Sequence, residues 1–316
     1  MHEKENGAPP LVVAVVLNWN GGEMNLRCLE HLFAAGWPSL RVVFVDNGST
    51  DGSGEAVRAR WPGVEYLGLD RNHGFTGGNN RGIHRALEMG AEMVLLLNND
   101  VQVDPGFLPP LVEALREEGP GIAGPKMLEP SGKLWSAGGR LAFHQNLTRL
   151  RGFGRADNGR YDRRERVDYI PACCLLVSRE VFERVGLLDE DYFCYVEDVE
   201  FCMRARRAAF PVIYCPRSRV VHHFSHSTGG GYTPARKYMN ALNSVRFLRT
   251  HGSLKSWIAF WIFDVAAWPL LLVLRLLQGR ARGALAKGRG IVDGLAGRRV
   301  DPERVARYRG LEECRR

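Results

Sequence analysis

The chain has 316 residues, 45% of them hydrophobic and 25% charged, which are the proportions of an ordinary globular protein and exclude a disordered one. The length suits one large α/β domain with an appendage, or two modest domains. The net charge of +8 calls for an anionic partner. No zinc-finger spacing or RNA-recognition signature is present, so nucleic acid is not expected. Many of the Arg and Lys residues fall in 279–316, directly after an apolar stretch, as they do at an anionic membrane surface.

Taken in order, Leu11–Leu17 (LVVAVVL) is an apolar, β-branched run, the pattern of a strand buried on both faces. Glu23–Ala35 has helical spacing, with Met24, Leu26, Leu29, Leu32 and Phe33 on one side. Arg41–Val45 is a second buried strand, Asp51–Arg60 a short helix, Val64–Leu67 a third strand, Gly77–Met89 a helix and Glu92–Leu97 a fourth strand. This alternation predicts an open, mostly parallel α/β sheet with its ligand at the carboxyl ends of the strands. Beyond it, a helix is expected over Pro105–Glu117 and strands near Ile122–Met127 and Trp135–Leu141. The polar, Gly- and Arg-rich stretch Asn146–Arg166 reads as a mobile loop. Then follow a strand at Cys173–Val177, a helix at Glu197–Ala208, short strands at Val212–Tyr214 and Arg219–Val221, and a helix at Ala235–His251.

Trp257–Leu277 approaches the roughly 20 apolar residues of a membrane span, but Asp264 and Pro269 interrupt it. A central Asp costs about 2.5–3.5 kcal/mol on insertion scales. The favoured reading is a helix, or a broken helical pair, lying in a membrane interface, with a true span and a soluble core helix as alternatives. The cysteines (Cys28, Cys173, Cys174, Cys194, Cys202, Cys215 and Cys314) are odd in number and lack a C-x-x-C pair. They read as buried reduced thiols of a cytosolic protein. Met1–Pro10 is polar with no hydrophobic signal core, so a cytoplasmic chain is expected.

Each of the first four strands is followed by small and polar residues: Asn18-Trp19-Asn20-Gly21-Gly22, Asp46-Asn47-Gly48-Ser49, Asn72-His73-Gly74-Phe75 and Asn98-Asn99-Asp100. Any one of these could be a chance turn. All four on one rim make a crevice for a polar ligand. Asp46 can accept from a base imide while Asn and Ser side chains bracket a ribose; taken alone, the same residues form only a turn and helix cap. No G-x-G-x-x-G follows the first strand, which disfavours a dinucleotide oxidoreductase. Asp100, next to Asn99, can hold Mg²⁺ or Mn²⁺ against diphosphate oxygens, though a lone Asp at a strand end is commonly a cap. Asp198 falls in the first turn of a helix and can serve as a general base. A helix N-terminus is expected to lower its pKa and so weaken it. Glu197, Asp198 and Glu200 could also merely favour the helix dipole. A neutral imidazole of the His222-His223-Phe224-Ser225-His226 run can complete the metal shell with Asp100.

These residues resemble the inverting family 2 glycosyltransferases of GT-A fold, especially their rhamnosyltransferase-like branch. The resemblance rests on ordered blocks within about residues 11–230: VVLNWN with VVFVDNGSTDGS, NHGFTGGNNRGI, LLLNNDVQVDPGFL, the run from GLLDEDYFCYVEDVEF to FPV, and VVHHFSHSTGG. It implies a catalytic domain over 1–230 and a helical, membrane-associating extension with a basic tail over 231–316. It implies that Asp46 meets the nucleotide base, with Asn18, Asn47 and Ser49 nearby, and that Asn72 and Asn79 line the donor site. Asp100 matches the last acid of the family's D-x-D metal motif, whose first position is Asn98 here. Asp198 matches the catalytic base, and His222 the later metal-binding histidine, with His223 one residue away. Ala172 stands where many relatives have Gly. The processive-synthase pattern Q-x-x-R-W is absent. The implied donor is a dTDP-, UDP- or GDP-linked sugar, the implied acceptor a lipid-linked or cell-envelope glycan, and the implied location the cytoplasmic face of an inner membrane. Two rivals are a nucleotidyltransferase, which would want a basic loop after the first strand, and a non-catalytic nucleotide-sugar-binding platform on a membrane.

Overall fold

The structure is a computed structural model and describes residues 8–144, 146–223, 233–278 and 281–313. The first half alternates as the apolar runs predict: β1 (Val12–Asn18), α1 (Met24–Ala34), β2 (Leu40–Asp46), α2 (Ser53–Arg60), β3 (Glu65–Gly68), α3 (Gly74–Glu88), β4 (Met93–Asn98), β5 (Val101–Val103) and α4 (Leu108–Glu118). Pro109 and Pro110 sit in the first turn of α4, where a missing N–H costs nothing. Then come β6 (Ile122–Leu128), β7 (Leu134–Ser136), β8 (Gly139–His144), β9 (Asn146–Leu150), β10 (Glu165–Arg166), β11 (Cys174–Ser178), α5 (Arg179–Val185), α6 (Glu197–Arg207) and β12 (Val212–His222). Helices complete the described chain: α7 (Pro234–His251), α8 (Leu254–Phe260), α9 (Trp268–Leu277), α10 (Ala281–Leu295) and α11 (Pro302–Glu313).

One sheet runs in the order β10-β12-β6-β11-β4-β1-β2-β3, with β5 paired to β12 and β7 to β6. Strands β3, β2, β1 and β4 are parallel neighbours. Their registers place Asn18 opposite Asp46, Asp46 opposite Gly68, and Leu17 opposite Asn98, so their carboxyl ends form one level rim. β1 is buried from Val12 to Val16, which explains its unbroken β-branched run. β11 enters between β4 and β6 antiparallel to both. The two short strands expected at Val212–Tyr214 and Arg219–Val221 are one strand, β12, with a register shift between Cys215 and Arg219.

The expected mobile loop over Asn146–Arg166 is corrected. β8 and β9 form an antiparallel hairpin, and β10 joins the edge of the sheet. The physical reason is Lys126, which is buried on β6. A buried ammonium requires counter-charges; it draws in Asp157 at 2.7 Å and also binds Asp162. Arg219 binds Asp157 as well, so the segment is tied to the sheet by charge, which apolar periodicity does not report.

The stretch 254–277 is one helical run rather than a broken pair: α8, a π-helical turn over Trp261–Ala266 and α9 follow without leaving helical backbone, and the run is long and apolar enough to cross a membrane. Only 6% of its most apolar window is buried, and Trp261, Ile262, Leu270, Leu274 and Leu277 are exposed. Of the basic residues that follow, Arg282, Lys287 and Arg289 are on α10, Arg304, Arg307 and Arg309 on α11, and Arg298 and Arg299 between them. α10 packs against α7 through small residues; a Cβ on Gly290 would lie 2.3 Å from the Tyr238 carbonyl oxygen.

Candidate active site

The rim is held by amides. Asn18 is fully buried at the end of β1. Its amide nitrogen donates to Ser53 Oγ at 2.9 Å, Ser49 Oγ at 3.1 Å and, more weakly, Asp46 Oδ1 at 3.4 Å. Its carbonyl oxygen accepts from Asn25 Nδ2 at 2.9 Å and from the Gly21 N–H at 3.0 Å. Asn25 in turn accepts from Asn99 Nδ2 at 2.8 Å. The first, second and fourth strand-end loops are thereby locked into one network. Asn47 extends it to the third loop by donating to Asn72 Oδ1 and to the Gly74 carbonyl.

These loops frame an open crevice of about 670 Å³ counted to its mouth. Of the residues singled out in the sequence, Asn47, Asn72 and Asn99 line it, beside Asn98. Asn18, Asp46 and Ser49 stand behind as its frame. Asp46 accepts from Tyr66 Oη at 2.9 Å and from the Ser49 N–H at 3.1 Å. Asn79 is buried and donates to the Phe75 carbonyl one turn back along α3.

The second group is Asp100 with His222. Register brings them together: β5 follows Asp100 directly, and His222 on β12 lies opposite Val101. The His223 N–H donates to the Asp100 carbonyl at 2.8 Å. Asp100 Oδ1 is buried and accepts no well-formed hydrogen bond among the described residues, yet His222 Nε2 lies 3.3 Å from it. Trp135 meets the imidazole edge-on, its ring centroid 4.4 Å away. A buried oxygen and an imidazole nitrogen turned to one point are a donor set that fits a divalent cation. Among the described residues no group of three or more His, Cys, Asp or Glu side chains could hold a metal. The remaining positions would fall to water and phosphate oxygens, as is usual for Mg²⁺. His226 lies outside the described residues.

The third element is Asp198, in the first turn of α6 and partly open to solvent. Its carboxylate accepts from the Val199 N–H at 2.8 Å and the Ala172 N–H at 3.3 Å. The expectation that the helix N-terminus would lower its pKa is corrected: burial outweighs those N–H groups and raises the carboxyl to about 6. Glu197 is buried, and burial first, the Asp198 charge second, raise it well above the carboxylate range. The two neighbouring acids are thus driven apart, with Asp198 the one ionised at neutral pH. Burial raises the Cys173 thiol, and the neighbouring Cys174, Asp100 and Asp198 push it further.

Sequence reasoning missed how Asp198 is presented. Phe193, Tyr195 and Val196 before it all have positive φ, a strained choice for bulky and β-branched residues. Asn243, fully buried on α7, holds this loop by donating to the Tyr192, Cys194 and Tyr195 carbonyls at 2.8–2.9 Å. The Phe193 carbonyl accepts from the N–H groups of Phe75 and Thr76 at the start of α3. Gly74 there has φ +78°, and a Cβ on it would lie 2.5 Å from the Phe193 ring. No local pattern signals Asn243 or the Asn25–Asn99 contact, because their partners are distant in sequence.

Residues 13–186 match the family model "Glycosyl transferase family 2". The chain belongs to glycosyltransferase family 2. It is similar to the N-acetylglucosaminyl-diphospho-decaprenol L-rhamnosyltransferase of Mycobacterium tuberculosis, 32% identical over 240 residues that cover 68% of this chain and 76% of that one. It is also 26% identical to the dTDP-rhamnosyl transferase RfbF of Shigella flexneri, over 75% of this chain and 80% of that one. Among solved structures, the mannosyltransferase PcManGT of Pyrobaculum calidifontis, in complex with GDP-Man and Mn²⁺, shares the fold with a TM-score of 0.55 and 15% identity, over 92% of this chain and 88% of that one. This glycosyltransferase has the GT-A fold that its sequence blocks implied, and the nucleotidyltransferase and non-catalytic readings fall away. Asp198 and His222 lie beyond the family-matched segment, so their roles rest on the geometry above.

Four outcomes are expected. A folded Asp198→Asn protein turns over at least about a hundredfold more slowly, with donor affinity nearly intact. Wild-type turnover falls as pH drops below about 6. An Asp charged in the fold at about 6 but in the unfolded chain near 3.8 costs stability as pH rises from 4 to 6. Asp198→Asn therefore melts roughly 2–4 °C higher at pH 8, with no gain at pH 4, by calorimetry. Asn243→Ala leaves the three loop carbonyls without their donor; steady-state kinetics should show kcat lower by about 10–100-fold, with donor KM little changed.

Proposed function

We propose that this glycosyltransferase moves a sugar, L-rhamnose first among the candidates, from a dTDP-, UDP- or GDP-linked donor to a hydroxyl of a lipid-linked or other cell-envelope glycan, with inversion. The observation that carries this reading is that Asp198, through the Ala172 N–H at 3.3 Å, and the Asn98–Asp100 turn, through the Cys173 carbonyl at 2.8 Å, meet adjacent residues of one segment at the rim. Asp198 takes the proton of the acceptor hydroxyl, and that oxygen attacks the anomeric carbon from the face opposite the diphosphate. One displacement by one base inverts the centre, whereas retention would need a carboxylate nucleophile. Asp100 and His222 would hold a Mg²⁺ or Mn²⁺ ion, which when bound neutralises charge on the diphosphate. Asn47, Asn72 and Asn99 orient the nucleotide, and Asn18, Asp46, Ser49 and Asn79 keep the frame rigid. The names of the two rhamnosyltransferases support the sugar and acceptor class.

The proposed division is a catalytic domain to residue 230 and a helical extension from 231. The extension would rest in the cytoplasmic face of a membrane. The exposed apolar faces of α8 and α9 support this, and the chain's net charge of +8 suits anionic headgroups. Asp264 is paired with Lys287 of α10 at 2.6 Å, and Trp268 Nε1 donates to the Ala284 carbonyl at 2.8 Å. A spanning helix would have to pull charged α10 in with it, so the interfacial reading is preferred.

Labelled nucleotide sugars, a synthetic GlcNAc-diphospho-polyprenol acceptor and Mn²⁺ test the reaction. Transfer with an inverted anomeric signal by NMR is expected. It should be lost in EDTA, and Asp100→Ala should weaken metal-dependent binding of the nucleoside diphosphate. Equal calorimetric affinity with and without Mn²⁺ in wild type would count against the metal site. In flotation assays the protein should rise with vesicles containing anionic phosphatidylglycerol, and a Leu270→Gln/Leu274→Gln double variant should stay behind.

A further inference from the structure

The donor crevice is built almost wholly from neutral groups, yet its ligand carries a diphosphate. The loop after β1, Asn18 to Gly22, has no basic residue. Among the described residues, the only charged side chain that lines the crevice is Arg309, brought by α11 from the far end of the chain. Its guanidinium carbon lies 4.5 Å from the centre of the Trp19 ring, a cation–π distance. Its Nε is buried and makes no hydrogen bond among the described residues. Burial raises the Cys194 thiol, and Arg309 is near enough for its charge to oppose that rise.

The helix that carries Arg309 is firmly held. Tyr308 packs on Tyr238 of α7 with ring centres 5.6 Å apart. Val305 is buried. Arg304 binds Asp293 of α10, which Tyr238 Oη also meets at 3.0 Å. Arg309 is therefore presented to the crevice by a packed helix anchored on both neighbours.

We propose that Arg309 grips the donor diphosphate, and that α11 is consequently part of the donor site of this enzyme. This rests on the reading of the crevice as a nucleoside-diphosphate site. Trp19 holds the guanidinium at the rim, and the guanidinium's planar fork of N–H donors suits phosphate oxygens. A divalent cation at Asp100 and His222 would leave part of the diphosphate charge uncompensated, and Arg309 is placed to meet the remainder.

Calorimetry on the full-length protein with Mn²⁺ tests this, using dTDP, UDP, GDP and the matching nucleosides as probes. The variants are Arg309→Ala, Arg309→Lys and, as control, the exposed Arg307→Ala. For the best nucleoside diphosphate, Arg309→Ala should weaken binding at least about tenfold, Arg309→Lys should recover part of the loss, and Arg307→Ala should match wild type. Nucleoside affinity should be the same in all four proteins. Diphosphate affinity of Arg309→Ala within about twofold of wild type overturns the proposal, as does an equal loss for nucleoside and diphosphate, which would mark a structural role. If wild type binds none of the three diphosphates, the donor reading itself fails, and the proposal with it. Should Arg309→Ala not fold by circular dichroism, Arg309→Gln takes its place under the same criteria.

Discussion

The antiparallel pairing of β11 with β4 is the constraint on which the chemistry depends. Cys174 lies opposite Leu97, and the Asn98 N–H donates to the Cys173 carbonyl at 2.8 Å. A parallel strand in that place would start at the opposite edge of the sheet. Because β11 runs the other way, it begins at the ligand rim, and Ala172 and Cys173 arrive beside the Asp100 turn. Ala172 then offers its N–H to Asp198. One reversed strand thus brings both the Asp198 carboxylate and the Asn98–Asp100 turn to two adjacent backbone residues.

Around this constraint the rim is stiff in one place and strained in another. Asn18 and its neighbours satisfy one another's amides, which fixes the strand-end loops without placing charge in the crevice. The Phe193–Val196 turn carries positive φ angles that its residues would not adopt unaided. It is held from two sides, by Asn243 of α7 and by the start of α3. The same turn leads into Asp198, so strain is stored where the proposed base must be aimed.

The C-terminal helices are not a mere appendage to the sheet. α7 supplies Asn243 to the turn before Asp198, and α11 supplies Arg309 to the crevice. α10 joins them through Asp293, which is fully buried and shared by Arg289, Arg298 and Arg304. The exposed apolar helices α8 and α9 lean on α10 through the Asp264–Lys287 pair. The proposed membrane surface is therefore linked by packed helices to residues that position the base.

By itself, the sequence determined the parallel half of the sheet, because strands buried on both faces must be unbroken apolar runs and the turns after them must be small and polar. It also offered Asp46, Asp100, Asp198 and His222 as candidate site residues, and an apolar stretch interrupted in composition by Asp264 and Pro269. Local pattern ends where partners are far apart in the chain. The order around the buried Lys126 depends on Asp157 and Asp162, and the presentation of Asp198 depends on Asn243. The direction of the Asp198 shift was beyond local reading as well: the helix N-terminus is visible in the sequence, but the burial that outweighs it is made by packing. Only the tertiary structure could bring His222 to Asp100 and Arg309 to Trp19, since those contacts are made by strand register and helix docking across more than a hundred residues.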